Sequence, residues 1–394
     1  MKKRVGVVFG TRPDAIKMAP VVLELRKFPS RFDPVVISTG QHRQMLDQVF
    51  QVFNVNADVE LDLMRHNQTL NGLTRRILEA MDKLLAESQF DCLLVQGDTT
   101  TAFAAALAAF YRRVPVAHVE AGLRTWDIFQ PWPEEVNRKL AAVVTQLHFA
   151  PTPLARENLL AEAVPAKNVV VTGNTIVDAV ERLLRTQTIE HALPSGVPDD
   201  DSRLVLVTSH RRESWGAELE NICISIVELV ERFPNIRVIY PVHLNPNVRT
   251  TVGALLGNRD RVHLVPPVDY FQFLSLLRRC YLVLTDSGGV QEEAPIFNKP
   301  VLVLRNVTER PEASQMGLAK VVGTAPEIIV GEATRLLSSE FAYRAMSGQE
   351  CPYGDGRAAA RIATALSRWL NGQQLVLSDS EQFQMSGTKA RIAV

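Results

Sequence analysis

Charge of one sign, paired cysteines and long apolar runs are all missing from this 394-residue chain. Lys plus Arg number 43 and Asp plus Glu 43, so no global field draws the protein to nucleic acid or to an acidic membrane surface, and any anionic ligand must be held by local groups. The four cysteines, Cys92, Cys223, Cys280 and Cys351, lie far apart, with no CxxC pair and no metal-ligand spacing. They read as reduced thiols of a cytosolic protein without a metal site. No apolar stretch approaches the ~20 residues that span a bilayer. The basic Met1–Arg4 is followed only by the run Val5–Phe9 before Gly10, too short for a signal-peptide core and well suited to a first strand. A soluble, cytoplasmic protein is expected, with neither nucleic acid nor membrane as a partner.

What is present is a regular alternation of short β-branched runs with longer amphipathic segments, the pattern of βα units feeding parallel sheets. In the first half, strands are predicted near Val5–Phe9, Pro34–Thr39, Cys92–Gln96, Val116–Val119 and Leu147–Ala150. Helices are predicted near Asp14–Lys27, Leu70–Glu87, Thr100–Arg112 and Glu135–Val144. One more βα pair, Asn168–Thr172 and Asn174–Arg185, precedes Thr186–Ser202, whose Pro, Asp and Ser break the pattern. A second series of strands then runs through Leu204–Thr208, Arg237–Pro241, Val262–Val265, Leu282–Thr285 and Val301–Leu304. The α/β class and two Rossmann-like domains follow: 1–170, then 171–356, with the helix 357–371 returning to the first domain and 372–394 as a flexible tail. Because ligands of open α/β sheets bind at strand C-termini, the active site is expected in the cleft between the two domains.

Those strand ends carry the chemistry. The first delivers GTRPDAIK, Gly10–Lys17, in which turn amides, Arg12 and Lys17 suit an anion, although the spacing is not that of a Walker lysine. The second ends in GQHRQMLDQ, whose Gln41, His42, Arg43 and Gln44 are by themselves an ordinary polar helix start. Asp98, in GDTT, and Glu120, in EAGLR, stand at what should be neighbouring strand ends, and Glu134 follows a rigid PWP turn. Taken singly, Asp98 and Glu134 also suit helix N-caps or first-turn acids. Converging on one cleft, the three carboxylates would make acid/base partners. In the second domain His210, in SHRRES, sits at a strand C-terminus, and His243, in PVHLNP, is explained by loop packing. The run DSGGVQEEA opens a helix after an apolar strand, so amides and hydroxyl at Ser287, Gly288 and Gly289 can cradle a diphosphate. Glu293 can accept ribose hydroxyls, Arg310 can add a cation, and Phe273 can flank a base or simply pack. The GDGRAA run, Gly354–Ala359, imitates a dinucleotide fingerprint but follows no strand, so no nicotinamide site is expected.

Taken together, GTRPDAIK, GQHRQM, GDTTT, HVEAGLRT, PEEVNR, TGNTIVDA, SHRRES, PVHLNP, DSGGVQEEAP and TERPE, in this order from about Val5 to Ile362, resemble the non-hydrolysing UDP-N-acetylglucosamine 2-epimerases. The resemblance implies a glycosyltransferase-B-like fold with the nucleotide held mainly by the C-terminal domain. It implies Asp98, Glu120, Glu134 and His210 at the catalytic centre, Arg12 and Lys17 near the diphosphate, and Phe273, Ser287, Gly288, Gly289, Glu293 and Arg310 around UDP. The implied enzyme is an isomerase needing no cofactor, commonly a homodimer in polysaccharide biosynthesis. It interconverts UDP-GlcNAc and UDP-ManNAc by eliminating UDP to 2-acetamidoglucal and adding it back. Many relatives bind a second UDP-GlcNAc as activator through positions matching Gln41, His42 and Gln44 and a basic residue near Arg65–Asn67, where this chain has Asn67. Other departures are Asp14, in place of the usual Glu, and Cys351, in place of an Asn before Pro-Tyr-Gly-Asp-Gly. A 2-epimerase of a UDP-2,3-diacetamido sugar uronate and a glycosyltransferase of the same fold are the alternatives.

Overall fold

The computed structural model describes residues 2–40, 43–65, 68–186, 193–211, 215–373 and 375–385. The chain divides into two units: Met1–Leu183 with Tyr353–Val394, and Leu184–Pro352. The first contains strands β1 (Lys3–Phe9), β2 (Phe32–Ser38), β3 (Val59–Glu60), β4 (Cys92–Gln96), β5 (Val116–Val119), β6 (Leu147–Ala150) and β7 (Val169–Val171). Between and after them run helices α1 (Arg12–Arg26), α2 (Arg43–Phe53), α3 (Leu70–Glu87), α4 (Thr100–Tyr111), α5 (Glu134–Val144), α6 (Pro153–Ala161) and α7 (Thr175–Thr186). All seven strands are parallel, in the order β3-β2-β1-β4-β5-β6-β7. Covered by helices on both faces, β4 is buried at every position, which is why it reads as a continuous apolar run. Against it α3 turns one stripe, Leu73, Ile77, Met81 and Leu85, at the four-residue spacing of a helix face. Thr69 caps that helix by accepting from the Gly72 amide.

The second unit carries β8 (Arg203–Thr208), β9 (Ile236–Pro241), β10 (Val262–Val265), β11 (Leu282–Thr285), β12 (Val301–Val303) and β13 (Ala319–Val321). Its helices are α8 (Ala217–Arg232), α9 (Pro246–Leu256), α10 (Tyr270–Arg279), α11 (Gly288–Glu293), α12 (Glu312–Gln315), α13 (Pro326–Ser338) and α14 (Glu340–Ala345). The sheet is again wholly parallel, β10-β9-β8-β11-β12-β13. In each sheet the winding reverses once, at β1/β4 and at β8/β11, and the loops leaving those strands are where an open α/β sheet binds its ligand.

Two expectations are corrected. The second unit was expected from 171, but β7 and α7 stay with the first, because β7 pairs with β6 and the boundary falls at Leu183/Leu184. The stretch after 372 was expected to be a flexible tail, yet Val376, Leu377 and Phe383 are buried and the Phe383 amide donates to the Val171 carbonyl at 2.9 Å. Arg368 holds Glu381 through two bonds, 2.7 and 2.8 Å, which keeps that carboxyl down at about 2. Where the chain re-enters the first unit it forms α15 (Ala358–Leu370). The two carboxylate oxygens of Asp178 on α7 accept from the Ala358 and Ala359 amides at 3.1 and 2.9 Å, capping its first turn. Among the described residues no helix is long and apolar enough to cross a membrane.

Candidate active site

At the switch point of the first sheet, β1 passes through Gly10 and Thr11 into α1. Asp14 folds back over that turn, its Oδ2 accepting from the Gly10 and Thr11 amides at 3.3 and 3.2 Å and from Thr99 Oγ1 at 3.4 Å. Burial pushes the Asp14 carboxyl up to about 6, opposed by the bonds from Thr11 and Gly10 and assisted by the nearby Asp98. Arg12 opens the helix half-buried, with no partner among the described residues. One turn on, Lys17 is buried and its Nζ meets Oε2 of Glu120, the residue after β5. The sequence assigned Lys17 to a diphosphate; the structure lays it against the carboxylate.

Glu120 itself is held in an uncommon way. Its backbone has φ 62°, the left-handed region that a non-glycine residue enters at a cost of about 1–3 kcal/mol, usually where function demands it. Oε2 also accepts from Asn174 Nδ2 at 2.9 Å, bringing the turn after β7 onto the same carboxylate. Asp98 lies close by: a Cβ placed on the preceding Gly97 would stand only 3.6 Å from Glu120 Oε1.

Asp98 is anchored from α5. Arg138 donates Nε and Nη2 to Asp98 Oδ2 at 3.0 and 2.6 Å, and Asn137 Nδ2 donates to the Asp98 carbonyl at 2.9 Å. Arg138 is itself fixed through Nη1 on Glu135 at 2.8 Å. Fully buried, Glu135 accepts from the Thr125 and Trp126 amides at 3.1 and 3.2 Å, so the two glutamates of PEEVNR separate. Glu135 builds the loop, while Glu134 opens the helix half-buried. Behind Asp98, His118 Nε2 donates to the Gly97 carbonyl at 2.7 Å, and its Nδ1 is buried without a partner. Burial drives the His118 imidazole down to about 4.

The second unit repeats the logic at β8/β11. Asp286, which follows β11 and is fully buried, accepts on Oδ2 from Ser209 Oγ and from the His210 and Arg211 amides at 3.0, 2.9 and 3.0 Å. One buried carboxylate thus shapes the loop that carries His210, whose Nδ1 lies 3.7 Å from Asp286 Oδ1. The buried Tyr240 hydroxyl donates to the Ser209 carbonyl at 2.8 Å from the other side. His243 stacks on His210, with ring centroids 5.5 Å apart and planes 15° from parallel. Loop packing, the sequence expectation for His243, leaves out this contact.

Ser287 precedes α11, its amide donating to Thr285 Oγ1 at 2.9 Å. Gly288 cannot carry a side chain, since a Cβ would lie 2.6 Å from Arg310 Nη1, whereas Gly289 faces open space. Arg310 is buried under this turn, donating to Glu292 at 2.5 Å and to Glu309, which also accepts from Arg305 at 3.0 Å. Glu293 accepts from the Tyr270 hydroxyl at 2.9 Å, and Phe273, on the same helix as Tyr270, is half-buried. Among the described residues no group of three or more His, Cys, Asp or Glu side chains is placed to share a metal ion. Gln41, His42 and Asn67 lie outside the described residues, as does the side chain of Gln44.

Sequence reasoning missed Asp14, Arg138, Asn174 and Asp286 as builders of this chemistry. All four sit inside motifs it quoted, but each also reaches a partner 40 to 85 residues away in the chain, a contact that exists only in the folded protein. A family model described as UDP-N-acetylglucosamine 2-epimerase matches residues 24–367. The UDP-N-acetylglucosamine 2-epimerase of Escherichia coli O157:H7 is 48% identical over 369 residues, 92% of this chain and 98% of that protein. The crystal structure of UDP-GlcNAc 2-epimerase from Neisseria meningitidis bound to UDP-GlcNAc superposes with a TM-score of 0.89 at 46% identity, covering 92% of this chain and 99% of that one. A glycotransferase of kitacinnamycin, at 12% identity and a TM-score of 0.62, shares the fold alone.

Proposed function

Since the chain belongs to the UDP-N-acetylglucosamine 2-epimerase family, we propose that it interconverts UDP-GlcNAc and UDP-ManNAc without a redox cofactor. The observation that carries the reading is the pair of carboxylates at the β4 and β5 ends, Asp98 on Arg138 and Glu120 on Lys17 and Asn174. Two oriented carboxylates with separate partners suit proton removal and return on opposite faces of one carbon. The C2 proton is taken as the C1–O bond to UDP breaks, leaving a C1=C2 double bond. A proton then returns to C2 from the other face while a diphosphate oxygen re-forms the bond to C1. Asp98, Glu120 and Glu134 serve the proton; Arg12, His210 and the Ser287–Gly289 turn serve the charge on the departing diphosphate. Glu293, Phe273 and Arg310 shape the place of the uridine, Arg310 by supporting Gly288 from below.

Self-association as a homodimer is supported by exposed apolar side chains on the adjoining helices α4 and α5: Phe110, Tyr111, Leu140 and Val143. A cytoplasmic setting is supported by the buried free thiols of Cys92, Cys223 and Cys280. The test is incubation of the purified protein with UDP-GlcNAc alone in deuterium oxide. UDP-ManNAc should form, both sugars should carry deuterium at C2, and traces of UDP and 2-acetamidoglucal should accumulate. Conversion only of a UDP-2,3-diacetamido sugar uronate, or sugar transfer only with an added acceptor, would replace this reading.

A further inference from the structure

The segment Tyr353-Gly354-Asp355-Gly356, which overlaps the Gly354–Ala359 run rejected above as a nucleotide fingerprint, lies against the turn that holds Glu120. We infer that this segment and Asn174 form a positioning bracket for Glu120, with Asn174 acting on the carboxylate and the returning chain fixing Asn174. The inference rests on the epimerase reading and adds to it residues that never touch the substrate.

Every atom of Asn174 able to hydrogen-bond is used. Nδ2 donates to Glu120 Oε2 at 2.9 Å, Oδ1 accepts from the Ile176 amide at 3.0 Å, and the backbone amide donates to the Tyr353 carbonyl at 2.6 Å. Its own carbonyl accepts from the Val177 amide at 3.2 Å. The side chain is therefore oriented by the Ile176 amide at the start of α7, while Tyr353 fixes the backbone from which it extends. Gly354 lets the two strands of chain approach this closely, for a Cβ there would meet Val177 Cγ2 at 3.2 Å and the Asn174 carbonyl and amide at 3.3 and 3.4 Å. Asp355 forms a two-pronged pair with Arg361 at 2.6 and 2.7 Å, and the same guanidinium reaches the Thr172 carbonyl at 3.1 Å. Beyond α15 the chain returns once more: Gln382 Oε1 accepts from the Val171 amide and the Phe383 amide donates to the Val171 carbonyl, both at 2.9 Å. Val171, Thr172 and Asn174 are thus held by contacts from three later segments, at Gln382–Phe383, Arg361 and Tyr353. Glu120 needs such support because its backbone is in the strained left-handed region and cannot be relied on to orient the carboxylate unaided.

Asn174→Ser isolates the effect, since serine still caps the start of α7 but is too short to reach Glu120. Wild-type turnover of UDP-GlcNAc is measured first, which tests the epimerase reading separately. Against that reference, kcat of Asn174→Ser should fall about 10–100-fold with KM within about threefold, and the acidic limb of the kcat profile should move to higher pH because a donor to the carboxylate is gone. Gly354→Ala, which presses on Asn174 without removing the donor, should show the same pattern at smaller size, and it carries the test alone should Asn174→Ser not fold. A crystal structure of either variant supplies a readout that needs no activity: the Glu120 carboxylate should leave its place by about 1 Å or more. Folded variants with an unmoved carboxylate, or with lowered melting temperature but unchanged kcat and pH profile, would overturn the bracket and leave a purely structural turn.

Discussion

His118→Gln separates an acid-sensitive element of the first unit from the Gly97–Asp98 turn it supports. His118 lies on β5, which pairs with β4 and β6, and burial of its imidazole lowers it from the ordinary 6.5 to about 4. Its folded form is therefore neutral, and the contribution to stability is full above 6.5 and lost as the pH falls toward 4. At pH 5 the unfolded chain binds a proton at this site that the folded chain refuses, a loss of about 2 kcal/mol relative to pH 7.5. Two carboxyls work in the opposite direction. Asp14 and Asp178 are each raised by burial from 3.8 to about 6, so acid stabilises the folded state through them as the pH falls through 6. His148, lowered by burial to about 3, loses stability in acid alongside His118, so the wild-type curve sums two losses and two gains and should fall by only about 1 kcal/mol between pH 7.5 and 5. Glutamine keeps an N–H able to reach the Gly97 carbonyl but cannot titrate. Urea unfolding at fixed protein concentration should show wild type losing about 2 kcal/mol more than His118→Gln over that interval, with the variant close to flat because His148 offsets Asp14 and Asp178. Turnover at pH 7.5 should stay within a few-fold, because Asp98 keeps its support. Identical pH dependence in the two proteins would refute the argument.

Asp98→Asn, Glu120→Gln, Glu134→Gln and His210→Asn should each lower turnover by at least ~100-fold while UDP binding by calorimetry survives; near-normal epimerisation in two or more would overturn the assignment of roles. Gly288→Ala places a methyl 2.6 Å from Arg310 Nη1, and Arg310 cannot step aside while Glu292 and Glu309 hold it. It should cost about 1–3 kcal/mol in unfolding experiments and weaken UDP affinity, whereas Gly289→Ala, facing open space, should leave stability unchanged.

The fold was readable because both sheets are parallel and covered on both faces. Strands such as Cys92–Gln96, Val262–Val265 and Leu282–Thr285 are short, predominantly apolar runs bounded by turn residues, and their limits agree with the structure residue for residue. Elements that escaped detection had no such signal. β3 is only Val59–Glu60, and β13 gains its place by pairing with β12 rather than from its own composition, since Lys320 stands in its centre. The last stretch, with its polar Ser378-Asp379-Ser380, looks like a tail until Arg361 and Arg368 are seen to hold it.

At the site the same division has a physical cause. A residue that leaves a strand C-terminus is marked by its position, so Asp98, Glu120 and His210 could be proposed as site residues from pattern alone. A residue that orients another is marked only by a contact across the fold. Asp286 illustrates the difference: in sequence it opens the DSGG turn and invites a role with the ligand, but its Oδ2 is spent on Ser209, His210 and Arg211, more than seventy residues earlier. Arg310 reads as a free cation for a diphosphate until Glu292 and Glu309 close on it. In both units a buried charged group anchors the loop that carries a residue proposed to react, Arg138 at Asp98 and Asp286 at His210. Buried charges with fixed partners are costly to disturb, since removing one partner strands the other at about 3–5 kcal/mol. That cost is what keeps solvent-facing acids and bases in place at a sheet edge, where loops would otherwise be free to move.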